Sequence, residues 1–166
     1  MNAVKGAEPR LFITTRTGQE ALAAEEVLNL LYPYDRCVEA RVYRKKGYVV
    51  VFGCRSPDEL ARRVRQFSAF SKKVLPIHTA AVASYEAITK VVLELVCTRL
   101  RGLPRRFRIE CHKRGWYIDS CTLLTLYVGE ALERLGLGFV GGNADTVIVI
   151  EVVDDHAYLS LTTPPS

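Results

Sequence analysis

Between Arg99 and Arg114 the chain carries six arginines and one lysine against a single acid, Glu110. Within that stretch Arg106, Arg108 and His112 alternate with Phe107, Ile109 and Cys111. This period of two puts the cations on one side of a β-strand and the apolar groups on the other. Cations at roughly 7 Å intervals on a rigid strand can follow a phosphate backbone, and each neutralised phosphate releases counterions. Lys113 and Arg114 continue the run into a turn at Gly115, and Trp116 and Tyr117 come next. An exposed ring there can stack on an unpaired base. The competing explanation is a solvated face paired with the acidic C-terminal part, where Arg134 is the only basic residue beyond Asp119. A second group comprises Arg62 and Arg65 on one helix face, with Lys72 and Lys73 just beyond. Helix surfaces are commonly basic, so this group carries less weight.

Catalytic chemistry finds little support. Asp154, Asp155 and His156 suit a hairpin turn and have no nucleophile beside them in sequence. Cys111 and His112 are neighbours in a strand, so they point to opposite faces and cannot act as a couple. The five cysteines form no CxxC pair and the three histidines are scattered, so no metal site is expected. Gly136-x-Gly138 and Gly141-Gly142 are lone glycine pairs that end a helix. No Gly-rich strand-to-helix fingerprint, pyrophosphate loop or Asn-Pro-Pro motif is present, and no cofactor is expected. The Gly-rich loop and Arg of an acylphosphatase are likewise missing. Cys37 and Cys54 flank a hairpin centred near Lys46. In register they fall within disulfide reach, whereas an offset of one residue puts them on different faces.

The net charge is +5 and the sequence pI near 9.0, which favours a polyanionic partner. With 166 residues, 49% hydrophobic and 25% charged, the chain suits one compact domain or two small ones. No apolar run reaches the ~20 residues of a membrane span, and Met1 to Arg10 lacks an apolar core or cleavage site. The expectation is a cytoplasmic protein with no membrane partner.

The elements that must position these residues follow from pattern. Leu11 to Thr15 is a short strand, and Gln19 to Leu31 a helix with Leu22, Ala23, Val27, Leu30 and Leu31 inward. Val38–Tyr43 and Tyr48–Phe52 form a hairpin with Gly47 left-handed. Ser56-Pro57-Asp58-Glu59 starts a helix with a Ser cap and Pro first, and a strand runs from Lys72 to Thr79. The order β-α-β-β-α-β is that of a ferredoxin-like domain, expected over 8–81. The second half, 82–166, has a helix from Ser84, the basic strand Arg106–His112, a helix Ser120–Leu135, and strands Val147–Val153 and Ala157–Leu161. The fold class is therefore α+β.

Phe107-Arg108-Ile109-Glu110-Cys111 runs into the basic turn at Lys113-Arg114-Gly115. A helix bearing Val128-Gly129 follows, then Val140-Gly141-Gly142-Asn143-Ala144-Asp145 and the strand Val147–Val152. In order and spacing this succession resembles the THUMP domain, an α/β domain with a mixed sheet. Ala144 stands where that family usually has Pro, so the link can differ. The resemblance covers roughly Val82 to Pro164, and the first half is similar to the ferredoxin-like domain that accompanies THUMP. It implies a non-catalytic tRNA-binding module that holds the acceptor stem and 3′ end. The chain would then serve as an adaptor for a separate tRNA-modifying enzyme, much like the stand-alone THUMP partner of a tRNA cytidine acetyltransferase. The alternatives are an interaction subunit with little RNA contact, or a subunit of a tRNA methyltransferase.

Overall fold

The computed structural model describes residues 6–99, 106–139 and 144–163, which fall into two compact units, 1–77 and 78–166. The first unit contains β1 (Glu8–Thr15), α1 (Glu20–Leu31), β2 (Glu39–Tyr43), β3 (Tyr48–Gly53), α2 (Pro57–Phe67) and β4 (Ser71–Pro76). Its sheet is antiparallel throughout, in the order β2-β3-β1-β4, so each helical crossover steps over one strand. Leu11, Ile13, Val49, Val51 and Val74 meet Ala24, Val27, Leu31, Leu60, Ala61 and Val64 in one core. Ala24 takes an inward place on α1, while Leu22 lies half exposed, because the buried stripe runs through Glu20, Ala23, Ala24, Val27 and Leu31. Lys45 and Gly47 both adopt positive φ in the hairpin. Ser56 makes no side-chain cap bond, so α2 starts on Pro57 without the expected hydroxyl.

The hairpin register, Glu39 opposite Phe52, extends to set Cys37 opposite Cys54. These two form a disulfide with Cα atoms 5.7 Å apart. Beside it Asp35 is buried, and its carboxylate accepts the backbone N–H groups of Cys37 (2.9 Å), Cys54 (2.8 Å) and Arg55 (2.8 Å). The fit depends on Gly53, where a Cβ would stand 2.7 Å from the carboxylate. Burial pushes the Asp35 carboxyl up, but the three N–H donors and the Arg55 charge outweigh it and hold the group below its ordinary value. A carboxylate depressed in the folded state adds stability above its unfolded value of about 3.9, and that stability is lost as pH falls through the folded value. Asp35→Asn turns an amide donor toward three donors. The variant is expected to lose about 1–3 kcal/mol at pH 7 and to show a flatter decline in melting temperature below about pH 4. Equal declines in the two proteins would remove Asp35 as the cause.

The second unit contains β5 (Thr79–Val82), α3 (Tyr85–Arg99), β6 (Arg106–Arg114), α4 (Cys121–Glu133), β7 (Gly138–Phe139), β8 (Thr146–Val153) and β9 (His156–Thr162). Its sheet runs β5-β9-β8-β6-β7, with β6 parallel to β7 and β8 and with β9 antiparallel to β5 and β8, a mixed sheet. Phe107, Ile109, Ile148, Ile150 and Leu159 pack against Ile88, Val92 and Leu95 of α3 and Leu124, Val128 and Leu132 of α4. β8 is buried along its whole length, as its unbroken apolar run suggests. Ser84 and Ser120 cap the two helices through their hydroxyls, accepting from Ala87 and Leu123.

The strand expected over 72–79 ends at Pro76, and the division between units falls before residue 81. Thr79–Val82 pairs with β9 instead. The side chain of His78 accepts the Leu161 N–H at 2.9 Å, and the His78 backbone N–H donates to the Leu159 carbonyl at 2.8 Å. These bonds hold the start of β5 in the second unit's sheet. The link at residues 140–143 and the basic positions 101 and 105 lie outside the described residues. Among the described residues, no helix is long and apolar enough to cross a membrane.

Candidate nucleic-acid interface

β6 is longer than the alternation suggested. It continues through Lys113 and Arg114, whose register partners on β8 are Val152 and Val153. These two are therefore strand residues and not free turn cations. The even positions share one face: Arg106 and His112 are exposed, while Arg108 pairs with Glu110 two residues on at 3.1 Å. Arg106 and Arg114 stand eight steps apart, roughly 26 Å on an extended strand. The row is thus two groups of residues at opposite ends.

The carboxyl end of β6 is the richer one. Arg114 Nε lies 3.5 Å from Oε2 of Glu151, which is 1% exposed. Lys113 Nζ donates to the carbonyls of Ile118 (3.2 Å) and Asp119 (3.0 Å). Both cations are thus engaged within the protein: Lys113 holds the loop that follows, and Arg114 pairs with a buried carboxylate of β8. That loop is fixed at several points. The Arg114 carbonyl accepts the Asp154 N–H at 2.9 Å. Gly115, at φ +134°, passes so near the β8–β9 turn that a Cβ would meet Asp154 Cα at 3.3 Å. Ile118 is buried, and a disulfide joins Cys111 of β6 to Cys121, the first residue of α4.

From this braced loop two rings project into solvent. Trp116 is 94% exposed and Tyr117 62%. A large apolar ring held out of the core on a fixed loop gains nothing by packing, so core-filling does not explain it. The loop stands at the carboxyl ends of parallel strands, a common place for ligands in sheets with helical crossovers. Exposed Asp119 and the exposed Asp155–His156 pair (2.7 Å) lie nearby in the sequence or across the turn. The site is consequently less basic than its sequence suggested, and its main feature is exposed ring surface.

In the first unit Arg62, Lys72 and Lys73 are exposed. Arg65 donates Nε and one terminal nitrogen to the Val74 carbonyl, at 3.1 and 2.6 Å, which ties α2 to β4. Arg62 instead lines a cleft with its neighbour Arg63 and with Arg55, which precedes α2. Arg63 stacks 3.5 Å from the centre of the Tyr34 ring, and Arg55 donates to the Tyr34 carbonyl at 2.9 Å. With Glu59, Leu60 and Gln66 these residues line a cleft of about 370 Å³. Sequence reasoning missed Tyr34 and Arg55 here, as it missed the Cys111–Cys121 pair. Neither carries a spacing signal, because both depend on where a helix end meets a strand.

Asp35, Cys37 and Cys54 lie close enough to share an ion, but the two sulfurs are bonded to each other and the carboxylate is filled by backbone donors. The arrangement is structural.

No family model and no curated protein sequence matches the chain. Solved structures do. TrmN from Thermus thermophilus is 21% identical with a TM-score of 0.66, over 93% of this chain and 45% of that one. PH1313 from Pyrococcus horikoshii is 18% identical with a TM-score of 0.71, over 93% of this chain and 54% of that one. A 4-thiouridine synthetase solved with RNA and ATP is 17% identical with a TM-score of 0.64, over 93% and 41%. The chain spans about half or less of these proteins, and at such identities what it shares with them is the fold.

Proposed function

We propose that this chain is a THUMP-type tRNA-binding module with a ferredoxin-like companion domain, holding the acceptor stem and 3′ end for a separate tRNA-modifying enzyme. In this reading it is an adaptor, works in the cytoplasm and supplies no catalytic centre. The observation that carries it is the Trp116–Tyr117 pair, exposed on a loop pinned by the Cys111–Cys121 disulfide and the Lys113 bonds. Unpaired 3′ nucleotides offer open base faces to such rings, whereas paired stem bases do not. Arg106, His112 and the cations of the first unit then serve the phosphates. One structural neighbour, the 4-thiouridine synthetase, was solved with RNA, which supports a nucleic-acid role for the shared fold.

Binding should respond to which part of tRNA is removed. Filter binding is expected to show a larger loss when the single-stranded 3′ end is deleted than when the anticodon arm is deleted. Affinity should also fall with salt on a log–log slope of several units, since each phosphate contact contributes about −0.7 to −0.9. Equal losses from the two truncations would contradict an acceptor-end reader. No retention of tRNA at low salt would favour the interaction-subunit reading instead.

A further inference from the structure

α4 carries more apolar surface than its core needs. Leu124, Val128 and Leu132 are buried against the sheet. A second stripe, Leu123, Leu126 and Tyr127, faces solvent at 55%, 63% and 47% exposure. A surface helix ordinarily needs one apolar stripe, with polar residues opposite. This second stripe is not a flat patch. With Ser84, Tyr85 and Glu86 at the start of α3, and Asp119 and Glu130, it lines a groove of about 700 Å³. The Tyr85 and Tyr127 rings meet across it at 5.9 Å between centroids.

The charges on this groove identify its occupant. Among the described residues, the charged side chains that line it are Glu86, Asp119 and Glu130, and Lys113 reaches the Asp119 carbonyl from the strand side at 3.0 Å. Arg134 reaches Glu130 from outside at 2.9 Å, an exposed pair of little energetic weight. Phosphates would be repelled, so RNA is a poor occupant. An apolar floor with an acidic rim complements a helix whose apolar residues recur at i, i+3, i+4 and i+7 between lysines and arginines.

We propose that this groove docks a basic amphipathic helix of a partner protein, with Leu123, Leu126 and Tyr127 as its apolar floor and Glu86, Asp119 and Glu130 as its rim. The inference does not depend on tRNA binding. It assigns the second unit a protein-facing surface on α4 that adjoins the Trp116–Tyr117 loop at Asp119.

The test uses two labelled model peptides of about 18 residues, long enough to be helical when bound: one of leucine and lysine, the other of leucine and glutamate in the same pattern. Fluorescence anisotropy with the whole chain should show the leucine–lysine helix binding at least tenfold more tightly than the leucine–glutamate one. The double change Leu126→Ser/Tyr127→Ser, at half-exposed positions, should weaken the leucine–lysine helix at least tenfold and leave tRNA affinity unchanged. Three results would overturn the proposal. One is equal binding of the lysine peptide to wild type and variant. Another is no preference between the peptides. The third is a self-associating chain that the double change makes monomeric, since the occupant would then be a second copy.

Discussion

Replacing Trp116 and Tyr117 together with alanine is expected to weaken tRNA binding by roughly 5- to 150-fold for each base the rings stack, while leaving the melting temperature nearly unchanged. Each base stacked on an aromatic ring is worth about 1–3 kcal/mol by alanine substitution, and tenfold in affinity corresponds to about 1.4 kcal/mol. The stability side of the expectation follows from exposure, because neither ring fills the core. The same pair of changes should matter little for tRNA that lacks its 3′ single-stranded end, since the bases that stack are then gone. The matched control is Leu126→Ala, an exposed apolar residue on the same unit in an acidic setting that phosphates avoid. If that control and the aromatic double variant lose equal affinity, the loop is not the docking point.

Arg114→Ala is expected to destabilise the protein by about 3 kcal/mol, although the residue looks like a surface cation in the sequence. Its partner Glu151 is 1% exposed, and the Arg114 charge offsets part of the desolvation cost of a carboxylate in that position. Because a third of the Arg114 side chain still meets solvent, the effect belongs at the low end of the range of about 3–5 kcal/mol for broken buried pairs. Adding Glu151→Gln should recover part of the loss by removing the buried charge. A melting curve for Arg114→Ala that matches wild type within ~0.5 kcal/mol would refute the structural role. The consequence for binding studies is practical. Reduced tRNA affinity in an Arg114 variant reports on folding as much as on contact, so Arg106 and His112 are the cleaner charge probes.

Much of the architecture was legible because its signals are local. The 3.6-residue stripes of Ile88–Val96 and Leu124–Leu132, the alternation along Arg106–His112 and the Gly47 turn each require only neighbours in the chain. Where local signals failed, a distant strand decided. The strand read as Lys72 to Thr79 stops at Pro76, and Thr79–Val82 forms a separate strand whose hydrogen bonds go to β9 near the other end of the chain. Leu22 fits a helical stripe by spacing but lies outside the arc that α1 buries.

The sequence by itself determined which residues could meet RNA: a cation row on β6, an aromatic pair after it, and a basic group near α2. It also determined which chemistry to leave aside, through the lack of any metal-ligand spacing or phosphate-cradling glycine loop. Tertiary structure decided which of those residues are available. Lys113 is engaged by carbonyls of the following loop, Arg114 by a buried glutamate 37 positions on, and Arg65 by a β4 carbonyl. What remains open to a partner is Trp116, Tyr117, Arg106 and His112 in the second unit and Arg62, Lys72 and Lys73 in the first. The physical reason is that charge and ring type belong to the residue, whereas exposure and pairing belong to the neighbours that a fold brings from far along the chain.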